Sequence, residues 1–252
     1  MTTVRVLVLP TPFYGANCLI VLPAGAREAL VVDPSHGVLD GLAAALDAHG
    51  ATVGAVLCTH GHADHVWDAA AVSRMGAAGP ASPTPVWCPG PDLPRFEDPL
   101  PGTGMTPADA AGFGLVWERP EDVRALPAEA VELVPAVRTR MVPAPGHTEG
   151  SAVFLFDSDL TVADGREGAA TAVVEDPHDS GPWALTGDVI FRDSVGRTDL
   201  PGGDEAQMRH TLRTLANAVD PATVLIPGHG PLTTWERELA VNPYVRRARR
   251  LG

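Results

Sequence analysis

Short apolar runs recur along the chain, and most of them end at Pro, Gly or Asp. Runs of this kind between turn-forming residues are typical of β-strands. In the first part of the chain they predict strands at 4–9, 17–22, 29–33 and 53–58. A helix is predicted over 38–49, because Val38, Leu42 and Leu46 fall on one face and Gly50 is a natural stop. The order of strand, helix and strand indicates helices layered against a sheet.

The same pattern returns after residue 130. It predicts strands at 131–134, 139–143, 152–156, 183–188 and 223–226. A helix is predicted over 204–218, with Asp204 as its N-cap and Met208, Leu212 and Leu215 on its apolar face. A shorter helix is predicted over 234–240.

Two stretches interrupt this pattern. Residues 76–130 are rich in Gly and Pro, and only 85–88 is typical of a strand, so ordered loops are predicted for the rest. Residues 157–182 are acidic, which predicts an extended hairpin or flexible insertion with a strand at 171–174. We therefore expect a single domain over 1–252 with inserts at 76–130 and 157–182.

Composition narrows the classes of partner. A net charge of −13 with no Lys argues against a nucleic acid held on a basic surface, and the arginines at 246–250 are interpreted as a solvated helix end. No apolar run is long enough for a membrane span or a signal peptide, so no membrane partner is expected. Three scattered cysteines, Cys18, Cys58 and Cys88, fit reduced thiols in a cytoplasmic protein. The oligomeric state is left open between monomer and homodimer.

The segment Thr59-His-Gly-His-Ala-Asp-His65, which follows the strand 53–58, has the highest density of potential metal ligands. His60, His62, Asp64 and His65 cannot all share one face of a strand or helix, so the segment must leave the strand and turn. A turn would let the four side chains converge on one point. Imidazoles and a carboxylate that converge in this way are typical ligands of zinc and related divalent metals.

Three further motifs each place one ligand type beside glycine at the end of a strand. They are Pro145-Gly-His147-Thr-Glu-Gly-Ser151, Thr186-Gly-Asp188 and Pro227-Gly-His229-Gly. Glycine lets the backbone turn sharply and brings the neighbouring side chain close to a shared centre. Five histidines and two aspartates exceed what one tetrahedral zinc needs, and they suit two metals that share a carboxylate.

This order of motifs resembles the metallo-β-lactamase superfamily, and the likeness runs from Asn17-Cys18 to Asn242-Pro-Tyr244. The segments Gly187-Asp-Val-Ile-Phe and Gly196-Arg-Thr-Asp-Leu-Pro-Gly-Gly203 look like the short bacterial members of its glyoxalase II-like branch, without the C-terminal helical domain. The resemblance implies an α/β fold, a four-layer αββα sandwich with two facing sheets, helices outside and the metals at one edge between the sheets.

The resemblance also implies that the motif residues share two divalent metal ions, with zinc expected and iron or manganese as alternatives. One ion would be held by His60, His62 and His147. The other would be held by Asp64, His65 and His229, and Asp188 would bridge the two. Asp64 would also act in catalysis by orienting the attacking hydroxide. Arg192 and Arg197 lie just past Asp188 and would contact an anionic substrate, or else form ion pairs that fix the loop.

The function implied is hydrolysis of a small-molecule thioester, such as an S-(2-hydroxyacyl) derivative of glutathione or another small thiol, by attack of a metal-bridging hydroxide. The first alternative is an iron-dependent persulfide dioxygenase with a mononuclear site. A further alternative is hydrolysis of a lactone or β-lactam. A non-enzymatic metal-binding module is disfavoured, because seven ligands are more than a structural zinc site needs.

Overall fold

Two facing β-sheets organise the chain in the computed structural model, which describes residues 3–250 except 77, 78, 80, 104, 113 and 163–180. The first sheet has seven strands in the order β10-β1-β2-β3-β4-β5-β6. Their bounds are β1 Thr3–Pro10, β2 Asn17–Pro23, β3 Glu28–Val32, β4 Thr52–Leu57, β5 Val86–Cys88, β6 Val123–Ala125 and β10 Asp159–Val162. The strands predicted at 4–9, 17–22, 29–33 and 53–58 are confirmed within one residue at each end.

The second sheet has six strands in the order β15-β14-β11-β9-β8-β7. Their bounds are β7 Val131–Val134, β8 Val137–Pro143, β9 Ala152–Phe156, β11 Trp183–Gly187, β14 Val224–Pro227 and β15 Thr233–Thr234. A separate hairpin joins β12 Ile190–Phe191 to β13 Ser194–Val195. The strand predicted at 171–174 lies outside the described residues.

Helices cover the outer faces of both sheets. Their bounds are α1 Leu39–His49, α2 Ala63–Val66, α3 Ala69–Ser73, α4 Pro107–Gly112, α5 Glu205–Ala218, α6 Trp235–Val241 and α7 Pro243–Arg250, with 3₁₀ helices at Gly90–Phe96 and Leu100–Gly102. The end of α1 is confirmed at Gly50, which adopts the left-handed conformation. Asp204 caps α5 as predicted, because its side chain accepts from the amides of Ala206 and Gln207.

Three buried layers follow from this stacking. Between the sheets, side chains such as Val6, Phe154 and Leu185 form one apolar cluster from both. Outside the first sheet, α1 packs its apolar face, and outside the second sheet α5 and α7 do the same. This is the αββα sandwich that was expected. In the described ranges no helix has both the length and the apolar character needed to cross a bilayer.

The insert at 76–130 has more regular structure than the sequence predicted. The strand predicted at 85–88 is confirmed as β5, but the expectation that the rest of the insert forms only loops is wrong, since β6 pairs in parallel with β5. The two 3₁₀ helices and α4 also lie in this insert. The signal for β6 is weak because the strand is short, forms the edge of the sheet and has Arg124 and Ala125 exposed, so no apolar alternation marks it.

Candidate metal centre

The loops that follow β4, β8, β11 and β14 meet at one edge of the sandwich. Strand β11 is parallel to β14, and β9 is antiparallel to both β8 and β11, so β8, β11 and β14 all run in one direction. Their carboxyl ends deliver His147, Asp188 and His229 to the same edge. The first sheet is tied to that edge because the Asn17 amide donates to the Gly228 carbonyl at 2.7 Å. Local motifs far apart in sequence therefore converge.

Three buried histidines form the first group. His60 and His62 leave β4 at the turn before α2, and His147 comes from the loop after β8. One ring nitrogen of each lies within 4.8 Å of the others. His60 Nε2 is 3.1 Å from His62 Nδ1, and the rings of His62 and His147 are 4.5 Å apart at 86°.

Asp64, His65 and His229 form a second group beside the first. Their ligand atoms again lie within 4.8 Å of one another, and His65 Nε2 is 3.2 Å from His229 Nε2. Asp188 lies between the groups, because its carboxylate oxygens are 3.4 Å from His65, 3.5 Å from His147 and 3.4 Å from His229. All seven side chains singled out in the sequence are therefore brought together.

Asp33 supports this cluster and was missed in the sequence, where it was read only as the end of a strand. Its carboxylate accepts from the Thr59 amide at 2.7 Å and the Thr59 hydroxyl at 2.8 Å. It lies 3.0 Å from His65 Nδ1, so His65 donates its Nδ1 proton there and keeps Nε2 for the cluster. The available signal was its position, since it ends an apolar strand in the same way as Asp188.

Arg197 holds the site through its backbone. His147 Nδ1 donates to the Arg197 carbonyl at 2.7 Å, which leaves His147 Nε2 free to act as a ligand. The guanidinium pairs with Asp199 through two contacts of 2.7 Å and is 60% exposed. Arg192 is half-buried and close to Asp193, and a substrate contact for either arginine stays a prediction.

The two groups differ in the direction in which the protein shifts the pKa values of their histidines. Burial, followed by the neighbouring His147, lowers the pKa of His62 to about 3, and burial likewise lowers the pKa of His60. Burial also disfavours the charged form of His65, but the carboxylates of Asp64 and Asp188 outweigh it and raise the pKa of His65 to about 9. Hydrogen bonds to those carboxylates similarly outweigh burial at His229 and raise its pKa to about 10.

The arrangement fits divalent metal ions better than protons alone. Among the described residues, His147 Nε2 and Asp188 Oδ1 are buried without a hydrogen-bond partner, which is costly unless another group satisfies them. The two Nε2 atoms of His65 and His229 face each other at 3.2 Å. Two protonated nitrogens at that distance repel, and so do two lone pairs, so the pair needs either one shared proton or a shared cation. A cation coordinated by both nitrogens would remove the repulsion, and the imidazole and carboxylate donors are those that zinc, iron and manganese bind.

The pKa shifts predict that the metal-free protein is most stable near pH 6.5. Below that value, unfolding exposes His60 and His62 to protonation, so stability falls as the pH drops toward about 3. His65 and His229 bind protons more tightly in the folded state. Their contribution is therefore complete below pH 6.5 and is lost as the pH rises through about 9 and about 10. Thermal unfolding in a chelator between about pH 5 and 9 measures both limbs.

A matched variant identifies the source of the alkaline limb. His229→Asn should reduce the loss of Tm above pH 6.5, and metal-loaded wild type should lack that loss because bound metal favours the neutral imidazole. A Tm of metal-free wild type that climbs steadily above pH 6.5 would contradict the shifts.

A cavity of about 350 Å³ opens beside both groups. His62, Asp64, His147, Asp188 and His229 form its floor. The walls are mainly apolar or aromatic and come from loops of both sheets and of the insert: Tyr14, Thr103, Phe191, Ser194, Val195, Arg197 and Leu200. A small molecule in this cavity would touch the cluster directly.

Comparison with known families supports the assignment made from geometry. The profile of the metallo-beta-lactamase superfamily matches residues 11–229, which include all seven clustered side chains. The chain belongs to the metallo-β-lactamase superfamily. This chain has the fold expected of a metal-binding hydrolase of this superfamily. Its histidine and aspartate groups are the candidate sites for divalent metals.

Relatives of similar length extend the comparison. An uncharacterized protein of Mycobacterium leprae is 30% identical over 237 residues, which cover 94% of this chain and 96% of the relative. The hydroxyacylglutathione hydrolase GloC of Haemophilus influenzae is 25% identical over 248 residues, which cover 94% of this chain and 96% of GloC. The likeness to GloC supports a glyoxalase II-like branch within the superfamily.

Two solved structures share the fold of this chain over nearly their whole lengths. The B3 metallo-β-lactamase BLEG-1 matches with a TM-score of 0.72 at 23% identity, covering 95% of this chain and 99% of that one. The protein TTHA1623, in a di-iron-bound form, matches with a TM-score of 0.65 at 28% identity, covering 94% and 98%. At 23% identity BLEG-1 supports the fold alone.

Proposed function

We propose that this protein is a binuclear metal-dependent hydrolase that cleaves a small-molecule thioester, such as an S-(2-hydroxyacyl) derivative of a small thiol. The observation that carries the proposal is the cavity that opens on both ligand groups at once. A carbonyl compound bound there would lie beside five of the seven clustered side chains, including members of both groups. The likeness to GloC over 94% of this chain favours a thioester over other acyl compounds.

His60, His62 and His147 would hold one metal, Asp64, His65 and His229 the other, and Asp188 would contact both. When bound, such a pair of metals supplies a water of lowered pKa and polarises a carbonyl oxygen. The chain's own contribution is to fix the ligands. Asp33 directs the Nδ1 proton of His65 away from the cluster, and the Arg197 carbonyl does the same for His147.

Asp64 has a second role in this proposal. It lines the cavity and is only partly buried, and its Oδ2 atom is 3.3 Å from His229 Nε2. Nearby histidines, His65 first, outweigh burial and lower the pKa of Asp64, so it stays ionised near neutral pH. An ionised carboxylate accepts hydrogen bonds and can therefore orient the attacking water toward the substrate carbonyl.

The cavity walls favour a compact acyl group. Phe191, Val195 and Leu200 present apolar surface beside the cluster, and Phe191 packs edge-on against the His229 ring with centroids 5.8 Å apart. Such a wall would exclude bulk water from the scissile bond while leaving the thiol carrier near the exposed rim at Tyr14. The carrier is therefore the part of the substrate that the assay must vary.

The experiment loads metal-free protein with zinc, iron or manganese and measures thiol release. The substrates are S-lactoylglutathione and the same acyl group on coenzyme A and on N-acetylcysteamine, with a lactone, a β-lactam and glutathione persulfide alongside. The proposal expects the highest kcat/KM for a thioester. Oxygen uptake with the persulfide and no thiol release would instead identify a dioxygenase, and preferential opening of the lactone or β-lactam would also overturn the thioesterase proposal.

A further inference from the structure

A buried aspartate of the insert, Asp92, joins the two loops that carry the first histidine group. Asp92 lies in the 3₁₀ helix Gly90–Phe96 and is completely buried. Its Oδ2 atom accepts from the Gly61 amide at 2.8 Å and the Thr148 hydroxyl at 2.8 Å. Its Oδ1 atom accepts from the Gly150 amide at 2.8 Å, and Arg95 Nε lies 3.4 Å away. Both carboxylate oxygens are therefore fully used by the protein.

The donors to Asp92 are neighbours of the proposed ligands. Gly61 separates His60 from His62, and Thr148 directly follows His147. Within the described part of the chain Asp92 makes no hydrogen bond to a ligand nitrogen, so it acts through these two turns. One side chain thus links the loop after β4 to the loop after β8, which come from different sheets.

The fit around Asp92 leaves no room for larger residues on either loop. A Cβ atom at Gly150 would lie 2.6 Å from the Asp92 carboxyl carbon. A Cβ atom at Gly61 would lie 3.1 Å from the Asp92 carbonyl oxygen and 2.7 Å from Arg95 Cβ. Because the packing is this close, the distance between the two turns is set by the Asp92 carboxylate and the hydrogen bonds it accepts from both.

Arg95 continues the connection to the loop that supports His147. Its guanidinium donates to Glu149 at 2.6 Å and to the Pro201 carbonyl at 2.7 Å, and it is only 15% exposed. The loop that contains Pro201 also supplies the Arg197 carbonyl that accepts from His147. The insert therefore contacts both the loop of His147 and the segment that orients its ring.

We propose that Asp92 is a positioning residue that sets the geometry of the site formed by His60, His62 and His147. This inference rests on the proposed binuclear centre and assigns a role to the insert at 76–130. Asp33 contacts His65 of the neighbouring group directly, whereas the hydrogen bonds of Asp92 go to the turns beside His62 and His147, so we expect Asp92 to act mainly on the first of the two sites.

Asp92→Asn tests the proposal because it keeps the shape and replaces one acceptor oxygen by an NH₂ donor. At least one of the donors from Gly61, Thr148 or Gly150 would then face another donor. Residues that orient metal ligands typically change metal affinity about 10- to 100-fold when they are substituted. We expect a loss of that size at the first site and a change of less than about threefold at the second.

Metal-free protein is titrated with Co²⁺, and the affinity of each site is measured from its visible absorption. Two single-site variants, His62→Ala and His229→Ala, assign the two spectra. Asp122→Asn is the matched control, because Asp122 lies on the same insert, is partly exposed and pairs with Arg124 two positions further along. It should leave both affinities unchanged.

Thr148→Val provides a second, milder variant if Asp92→Asn does not fold. It removes one hydrogen bond to Asp92 and should weaken the first site in the same direction by a smaller factor. Unchanged affinity at the first site, or an equal loss at both sites, would overturn the role of Asp92. Binding of fewer than two ions by wild type would instead contradict the proposed binuclear function.

Discussion

Asp188→Asn is expected to lower kcat/KM of the metal-loaded protein by at least about a thousandfold. A metal pair stabilises the transition state by several kcal/mol, and about 4 kcal/mol corresponds to a thousandfold in rate. Asp188 is 7% exposed and reaches both groups, with His65, His147 and His229 all within 3.5 Å of its oxygens. An asparagine keeps the volume but is neutral and replaces one acceptor oxygen by an NH₂ donor, so it would hold two cations far more weakly. Steady-state kinetics with the preferred substrate and metal content per chain measure the effect.

Asp193→Asn is the matched control for this variant. Asp193 lies five residues further along, pairs with Arg237 at 2.8 Å and is half-exposed, with a positive φ of 63° that asparagine tolerates. Surface ion pairs contribute about 1 kcal/mol or less, so its activity should change by less than about fivefold. A similar loss in both variants, or full activity in Asp188→Asn, would contradict a role for Asp188 between two metals.

Gly228→Ala is expected to lower kcat/KM by about a hundredfold. Gly228 is not itself a proposed ligand, but a methyl group there would displace ligands beside it. A methyl group at this position would collide with Asp188 Oδ1 and lie 2.8 Å from His65 Cε1. Its backbone is not in the left-handed region, so the effect comes from the close approach alone. A displacement of about 1 Å at a reacting centre is enough for a loss of this size. Kinetics and metal analysis should show weaker retention of the metal at Asp64, His65 and His229.

Gly41→Ala controls for the addition of a methyl group. Gly41 is inside α1, and its Cβ would meet only Leu9 at 4.0 Å. Alanine in a helix interior is more favourable than glycine by roughly 0.5–1 kcal/mol, so Tm should rise while activity stays unchanged. Full activity in Gly228→Ala would show that the loops around Asp188 and His65 yield without cost, and would contradict the packing argument.

The sequence predicted the candidate ligands because each lies in a short local motif at the end of an apolar strand. His60, His62, Asp64 and His65 lie within six consecutive positions, and no tertiary information is needed to see them as one cluster. The αββα sandwich followed from the resemblance that these motifs carry, and the family match over 11–229 confirms it. The division into one domain and a cytoplasmic location stay predictions.

The supporting residues could not be predicted in the same way, because their partners are distant in sequence. Asp92 is separated from Gly150 by 58 positions, and Asp33 from His65 by 32. A lone aspartate in a Pro-rich stretch is usually solvated, and only the packing of Gly61 and Gly150 reveals that this one is buried. The sequence predicted ordered loops for most of this insert. Its hydrogen bonds to the loops of His62 and His147 support a role in positioning the site.

The central claim is that two adjacent groups, each with three ligands and linked by Asp188, bind two divalent metals. The most direct measurement is metal content per chain by mass spectrometry, after reconstitution of metal-free protein and removal of loosely bound ions. We expect two ions per chain in wild type and one in His229→Ala. A saturated wild type with a single ion, unaffected by His229→Ala, would contradict the claim.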